Sequence, residues 1–309
     1  MLVSFTFLLL SLFLVIKSAD LAVRYSTRLA RSFRFSKYII GFIIVAIISV
    51  LPETLISITS AVKGIPSFGL GTLFGSNVAD LTLVFALVLF ISGRDLKVES
   101  KVIKNRFLHI GIMAVPIILG LNGYYSRIEG VALIIIGLGF YFYVLKDNKY
   151  NAKIVTERLS LKNIAYLVAS MGALLLGAYW TVKYGVNFAN SLRISPALIG
   201  MFIAALGTTL PELFFSIRAA TNRHDGLALG DILGTVIADA TIIVGIIAVI
   251  SPFAFNPRLV YITGVFMLLS IILLFYFMKS GRVLTKKEAF FLVLFYTAFV
   301  LTELLTSGL

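Results

Sequence analysis

The stretch VLPETLIS, Val50–Ser57, sets a proline and a glutamate inside an apolar run, and 159 residues later the chain writes TLPELFFS, Thr209–Ser216. At that offset ADLAVRYSTRLARSFRFSKYIIGFIIVAIISVLPETLIS (19–57) lies on AYWTVKYGVNFANSLRISPALIGMFIAALGTTLPELFFS (178–216) without a gap. Ala19, Val23, Tyr25, Arg34, Ser36, Gly41, Leu51, Pro52, Glu53 and Ser57 recur as Ala178, Val182, Tyr184, Arg193, Ser195, Gly200, Leu210, Pro211, Glu212 and Ser216. An ungapped match of this length is an internal duplication.

Of 309 residues, 60% are hydrophobic and 13% are charged, whereas soluble domains carry about a quarter charged residues. The chain therefore reads as an all-α polytopic membrane protein whose solvent is the lipid bilayer. Ten apolar segments fall near 2–24, 38–62, 68–92, 107–123, 128–145, 163–187, 196–218, 227–250, 259–278 and 288–306. Each is about the ~20 residues that a spanning helix requires. The first lacks a basic leading region and a small-residue cleavage site, so it reads as a retained span and not a signal peptide.

The formal charge of +13 is no nucleic-acid footprint, because it collects in alternate connections. Arg24, Arg28, Arg31, Arg34 and Lys37 follow segment one; Arg94, Lys97, Lys101, Lys104 and Arg106 follow three; Lys146, Lys149, Lys153, Arg158 and Lys162 follow five. Arg218 and Arg223 follow seven, and Lys279, Arg282, Lys286 and Lys287 follow nine, while the other four connections share Lys63, Arg127, Lys183, Arg193 and Arg258. The rich side is expected to be cytoplasmic, with both termini extracellular, in the cell membrane. The polar stretch 147–162 then reads as a cytoplasmic linker between a first five-helix repeat, 1–146, and a second, 163–309. Five is odd, so the second copy must insert upside down, and the expected fold is ten transmembrane helices as two inverted five-helix repeats.

Four carboxylates interrupt the apolar segments in matched positions: Glu53 and Glu212, and, again 159 apart, Asp80 in GTLFGSNVAD and Asp239 in GDILGTVIAD. A charge at the bilayer centre costs at least ~2.5–3.5 kcal/mol on insertion scales, so a symmetric quartet implies compensation by cations, protons or water. Hydroxyls accompany them at helical spacing: Ser49 and Ser57 flank Glu53 and Thr208 and Ser216 flank Glu212 at i±4, with Thr209 beside, while Ser76 precedes Asp80 and Thr235 precedes Asp239 by four. Proline has no N–H, so Pro52 and Pro211 deprive the carbonyls of Ile48 and Gly207 of their helical donors. Gly71, Gly75, Gly230 and Gly234 either loosen the facing helices or let backbones approach closely. With no cysteine and only His109 and His224, any bound metal must be oxygen-ligated. A set of carboxylate, hydroxyl and carbonyl oxygens suits Ca2+, which takes about 6–8 of them at ~2.3–2.6 Å, better than Mg2+, which keeps its waters. Four ionised carboxylates outweigh one Ca2+, so different cations are expected to occupy the site in turn.

These motifs resemble the calcium/cation antiporter superfamily, whose two inverted repeats carry G-T-S-x-P-E on one helix and G-S-N-x-x-N/D on the next. ALGTTLPE (Ala205–Glu212) is similar to the first and GSNVAD (Gly75–Asp80) to the second, and the resemblance covers essentially the whole chain. It implies a ten-helix antiporter, not an enzyme, that needs no cofactor and no obligate protein partner. Ca2+ would move against a monovalent counter-ion, Na+ or H+, as helices one and six slide past the other eight. The chain departs from the pattern at AIISVLPE, where Ile48, Ser49 and Val50 replace Gly, Thr and Ser, and at Thr235, Val236 and Asp231, with Thr72 in the corresponding place of the first copy. Asp80 is an acid where sodium exchangers often carry an amide. The missing hydroxyl at Val50 leaves a sodium site short of ligands, and the extra acid adds a proton acceptor, so the expected counter-ion is H+, with Na+/Ca2+ exchange as the alternative. An intramembrane aspartyl protease is the rival from another class, because LALGDILG (Leu227–Gly234) is similar to its Gly-x-Gly-Asp element, but Ala228 stands where the first glycine belongs and no Tyr-Asp partner occurs. A passive pore lined by similar oxygens is the third reading.

Overall fold

The computed structural model of the chain describes residues 2–33, 35–62, 64, 66–147, 160–191 and 209–306. Gly207 and Thr208, the first part of segment 196–218, Arg34, Lys63 and most of the linker lie outside them, as do Arg193, Ser195 and Gly200. The described residues are helical apart from connections and four two-residue strands. In chain order the helices, apart from the five-residue Ser100–Lys104, are α1 (Leu2–Phe33), α2 (Lys37–Ser49), α3 (Leu51–Val62), α4 (66–92), α5 (Arg106–Asn122), α6 (Arg127–Asp147), α7 (Leu161–Ser191), α8 (Leu210–Thr221), α9 (Asp225–Ile250), α10 (Val260–Lys279) and α11 (Lys286–Thr306). Six of them, α1, α4, α6, α9, α10 and α11, are long and apolar enough to cross a bilayer. Large apolar side chains such as Phe13, Ile128, Phe142 and Tyr276 stay exposed, as lipid-facing residues do.

Segment 38–62 is not one helix. It is interrupted between α2 and α3 at Val50, whose dihedrals, φ −72° and ψ −3°, lie at the edge of the helical region just before Leu51-Pro52. Thr209, the matching residue ahead of Leu210-Pro211, takes φ −86° and ψ 2°. Proline has no N–H for the carbonyl four residues back, so the same dipeptide removes a rung of the helical ladder at each break. Asp80 and Asp239 also share a backbone irregularity, since α4 and α9 widen into π-helix at Asp80–Val84 and Ala238–Ile243. Two residues on, Thr82 and Thr241 donate to the carbonyls of Val78 and Ile237, at 2.5 and 2.6 Å.

The packing has two apolar clusters. The larger fills the space among α4, α5, α6, α9, α10 and α11. The smaller belongs to α1 and α7, which run antiparallel: Phe7 stacks on Tyr184 at 4.9 Å, Tyr25 stacks on Tyr166 at 5.1 Å, and Val15 presses on Gly177 between them. This pair meets the rest of the molecule through Ile40, Val45, Phe215, Ala219, Leu227 and Ala228.

Helices α2 and α9 touch backbone to backbone. A Cβ on Gly41 would stand 2.5 Å from the Leu227 carbonyl oxygen, one on Gly230 would stand 2.2 Å from that of Tyr38, and one on Gly234 would stand 2.4 Å from that of Phe42. Close approach is thus the role of Gly230 and Gly234. Their counterparts differ, because Gly71 has only a side-chain contact, to Leu259, and Gly75 meets nothing within 4 Å among the described residues.

Two small antiparallel ladders staple distant connections. β1 (Leu96–Lys97) pairs with β4 (Val283–Leu284), and β2 (Tyr124–Tyr125) pairs with β3 (Phe253–Ala254). Lys37 Nζ lies 2.7 Å from His224 Nδ1, and Arg94 pairs with Asp225 while donating to the Ala220 carbonyl. The connections after segments one, three, seven and nine therefore share contacts at one end of the bundle.

Substituting Gly234→Ala should cost about 1–3 kcal/mol by overpacking α2 against α9, read as a lower melting temperature of the purified protein. Gly139→Ala meets no described atom within 4 Å and should be neutral or gain about 0.5–1 kcal/mol as a helix-interior glycine replacement.

Candidate cation site

The two breaks place Glu53 and Glu212 in the first turns of α3 and α8, where unpaired N–H groups and the helix dipole favour negative charge. Pro211 occupies the start of α8, where it costs no hydrogen bond. The π-helical turns set Asp80 and Asp239 into the same interior. All four acids are buried. Glu53, Asp80 and Asp231 lie within electrostatic reach of Glu212, and Glu53 and Asp80 within reach of Asp239. Both carboxylate oxygens of Glu212 and of Asp239, Oδ1 of Asp80 and Oγ of Ser57 have no hydrogen-bond partner on another described residue. Buried polar atoms are otherwise nearly always satisfied. Among the described residues no three acid or histidine side chains converge tightly enough to chelate an ion, so the donor set is open.

Of the expected hydroxyls, Ser49, Ser76, Thr209 and Thr235 are all buried. Ser49 Oγ lies 3.3 Å from Thr235 Oγ1, which brings α2 and α9 hydroxyls together. Ser76 instead donates to the Leu73 carbonyl of its own helix at 3.0 Å, the common fate of a helical serine. The Ile48 carbonyl is not wholly orphaned by Pro52, because the Val50 N–H is shared between Ala46 and Ile48 oxygens. It keeps a free lone pair, as a doubly accepting carbonyl does.

Asp231 is the residue that the set of expected ligands missed. Fully buried on α9, it accepts from Ser49 at 3.0 Å and from Ser216 at 3.3 Å, tying the last turn of α2 to α8 through one carboxylate. Its place in the duplication holds Thr72, so symmetry could not find it. The available signal was an unmatched acid one helical turn before Thr235. Asn77 is a second such residue, buried with its amide nitrogen 3.5 Å from Met267 sulfur where the other copy has Val236.

The model of the sodium/calcium exchanger protein family matches residues 3–146 and 162–305. The chain belongs to the sodium/calcium exchanger family. That places it in the calcium/cation antiporter superfamily, so it is an ion exchanger of the membrane and not an enzyme, and no cofactor is indicated. It is 30% identical to an uncharacterized membrane protein of Methanocaldococcus jannaschii, over 94% of this chain and 95% of that protein. It is 24% identical to the sodium/calcium exchanger MaX1 of Methanosarcina acetivorans, over 96% and 97%. Among solved structures, the sodium-calcium exchanger NCX_Mj soaked with 10 mM Na+ and 10 mM Sr2+ superposes with a TM-score of 0.84 at 26% identity, covering 97% of this chain and 98% of that one. Family membership removes the aspartyl protease reading of this exchanger, and Asp231, its one supporting residue, is spent on two serine hydroxyls.

Ser49→Ala should destabilise the folded exchanger by about 1–3 kcal/mol, because a buried carboxylate loses a donor. In an Asp231→Leu background the same change should cost clearly less. Equal costs in the two backgrounds, measured by thermal melts, would detach Ser49 from Asp231.

Proposed function

We propose that the exchanger moves Ca2+ out of the cell against H+ by alternating access, at a site near the bilayer midplane built from Glu53, Glu212, Asp80 and Asp239. Ser49, Ser76, Thr208, Thr209 and Thr235 and the carbonyls of Ile48 and Gly207 supply the neutral oxygens. The observation that carries this reading is the buried, unsatisfied oxygen set on Glu212, Asp239 and Asp80, which a divalent cation would satisfy and an apolar interior cannot. Removing the carboxylate charge while keeping volume, by Glu53→Gln or Glu212→Gln, should reduce 45Ca2+ uptake into proteoliposomes to background without loss of the folded, monodisperse protein. Near-normal flux in either variant would take that glutamate out of the site.

The proposed architecture is ten helices in two inverted five-helix repeats, 1–146 and 163–309, joined by a cytoplasmic linker at 147–162, with both termini outside. It is supported by the twin breaks at Val50 and Thr209 and the twin π-helical turns at Asp80 and Asp239. The ladders support it too. β1 and β4 belong to connections on the arginine- and lysine-rich side, and β2 and β3 to connections on the poor side, which is what alternate crossing requires. The α1–α7 pair, which supplies most of the smaller apolar cluster, is the unit that would slide against the rest. A flux that saturates and needs a counter-ion gradient separates this carrier from a pore.

Protons are the proposed counter-ion because Val50, a buried apolar residue, stands at the first break where the second has Thr209. A sodium ion there would lack a ligand, whereas clustered acids relieve their repulsion by taking up protons once Ca2+ leaves. Two protons balance one Ca2+. Sodium is the second reading, favoured by the names of the relatives. With Na+ absent, a pH gradient alone should drive 45Ca2+ flux, and Asp80→Asn should flatten its pH dependence. A flux driven by Na+ at clamped pH, and not by a pH gradient, would decide for sodium.

A further inference from the structure

At the arginine-rich end of the bundle a cavity of about 350 Å³ opens between α1 and the α8–α9 connection, lined by Asp20, Val23, Arg24, Thr27, Arg28, Asn222 and His224. It lies apart from the acid cluster, and the exchange reaction has no use for it. We propose that it binds a phosphate group, either the headgroup of an anionic lipid or a soluble phosphate.

Charge comes first. Arg24 and Arg28 stand one helical turn apart on α1 and bring two guanidinium forks to one wall. Asp20, the acid among the lining residues, is engaged by Arg218 Nε at 3.1 Å. Lys37 lies behind His224, 2.7 Å from Nδ1. The wall is therefore net positive, and it offers donors of more than one kind, two guanidiniums and the Asn222 amide. The Thr27 hydroxyl already donates to the Val23 carbonyl at 2.9 Å. Forked guanidinium donors supplemented by neutral N–H groups match phosphate oxygens in number and geometry.

Position comes second. The apolar span of α1 runs Ser4–Leu29, so Arg24 and Arg28 occupy its last turns, at the depth where headgroup phosphates lie. Side chains at the rim, Asp20 and Arg218, are 38% and 34% exposed, leaving a route in from the surface. A phosphate held between Arg24 and Arg28 on one side and Asn222 and His224 on the other would cross-link α1 to the connection that begins α9.

The test titrates the detergent-solubilised full chain by calorimetry, separately with dioctanoyl phosphatidic acid and with inorganic phosphate. Phosphatidic acid is expected to bind, and Arg24→Gln/Arg28→Gln to weaken it by about tenfold or more. Asn222→Ala on the opposite wall should weaken it by roughly threefold, which tests the site if the arginine pair fails to fold. Lys97→Gln, a basic change at the same end but outside the cavity, should leave affinity unchanged. Binding of the lipid alone upholds a lipid site, and binding of inorganic phosphate with the same dependence on Arg24 and Arg28 upholds a site for a soluble phosphate. Failure of both ligands to bind, undiminished binding by the arginine variant, or an equal loss in Lys97→Gln would overturn the proposal.

Discussion

An ionisable oxygen in an apolar interior must be met by something, and that requirement organises this molecule. Glu53, Asp80, Glu212, Asp231 and Asp239 are all buried, in a protein that is mostly hydrocarbon. Asp231 is met from within by Ser49 and Ser216. Glu212 and Asp239 are not met by any other described side chain. The difference sorts the acids by role. One is structural glue, worth its burial because it fixes the meeting of α2, α8 and α9. Asp80, Glu212 and Asp239 instead keep oxygens that no other described side chain meets, and on the proposed function a cation meets them.

Backbone irregularity is how the fold brings polar atoms to such depth. A regular helix consumes every N–H and carbonyl internally, so a site inside the membrane needs places where the ladder is interrupted. Here the interruptions are of two kinds. Leu-Pro opens the chain ahead of Glu53 and Glu212, and π-helical turns widen it at Asp80 and Asp239. Close contact at Gly41, Gly230 and Gly234 then draws α2 onto α9 until their side chains share hydrogen bonds.

Much of this was legible in the sequence because it was written twice. The duplication marked Glu53 with Glu212 and Asp80 with Asp239, and proline announced the breaks that follow Ser49 and precede Leu210. Glycine at 230 and 234 was readable as close packing, although sequence offered loosening as an equal alternative and only the Tyr38 and Phe42 carbonyls decide between them. What escaped was whatever one copy has and the other lacks. Asp231 stands opposite Thr72 and Asn77 opposite Val236, so comparison of the halves set these positions down as departures and marked neither residue as one of a matched pair. Ser76 gives its proton to its own helix, a choice between nearby acceptors that spacing cannot reveal. The phosphate cavity was invisible for another reason: its walls, Arg24 and Arg28 against Asn222 and His224, are nearly two hundred residues apart, and the arginines read only as part of a basic connection.

The ladders bear on how such a protein is made. β1 waits for β4, and Leu96 has no strand partner until Leu284 has emerged from the ribosome. Likewise Tyr125 waits for Phe253, and Ser49 for Asp231. Early helices must therefore reside in the bilayer with exposed strand edges and an unfinished acid cluster while more than half of the chain is still being synthesised. Insertion and assembly are separate events here, and the interior closes only near the end of translation. During that interval the half-built molecule is most open to degradation or mispairing, which makes its biogenesis, more than its finished stability, the stage at which a fault in either half would first be felt.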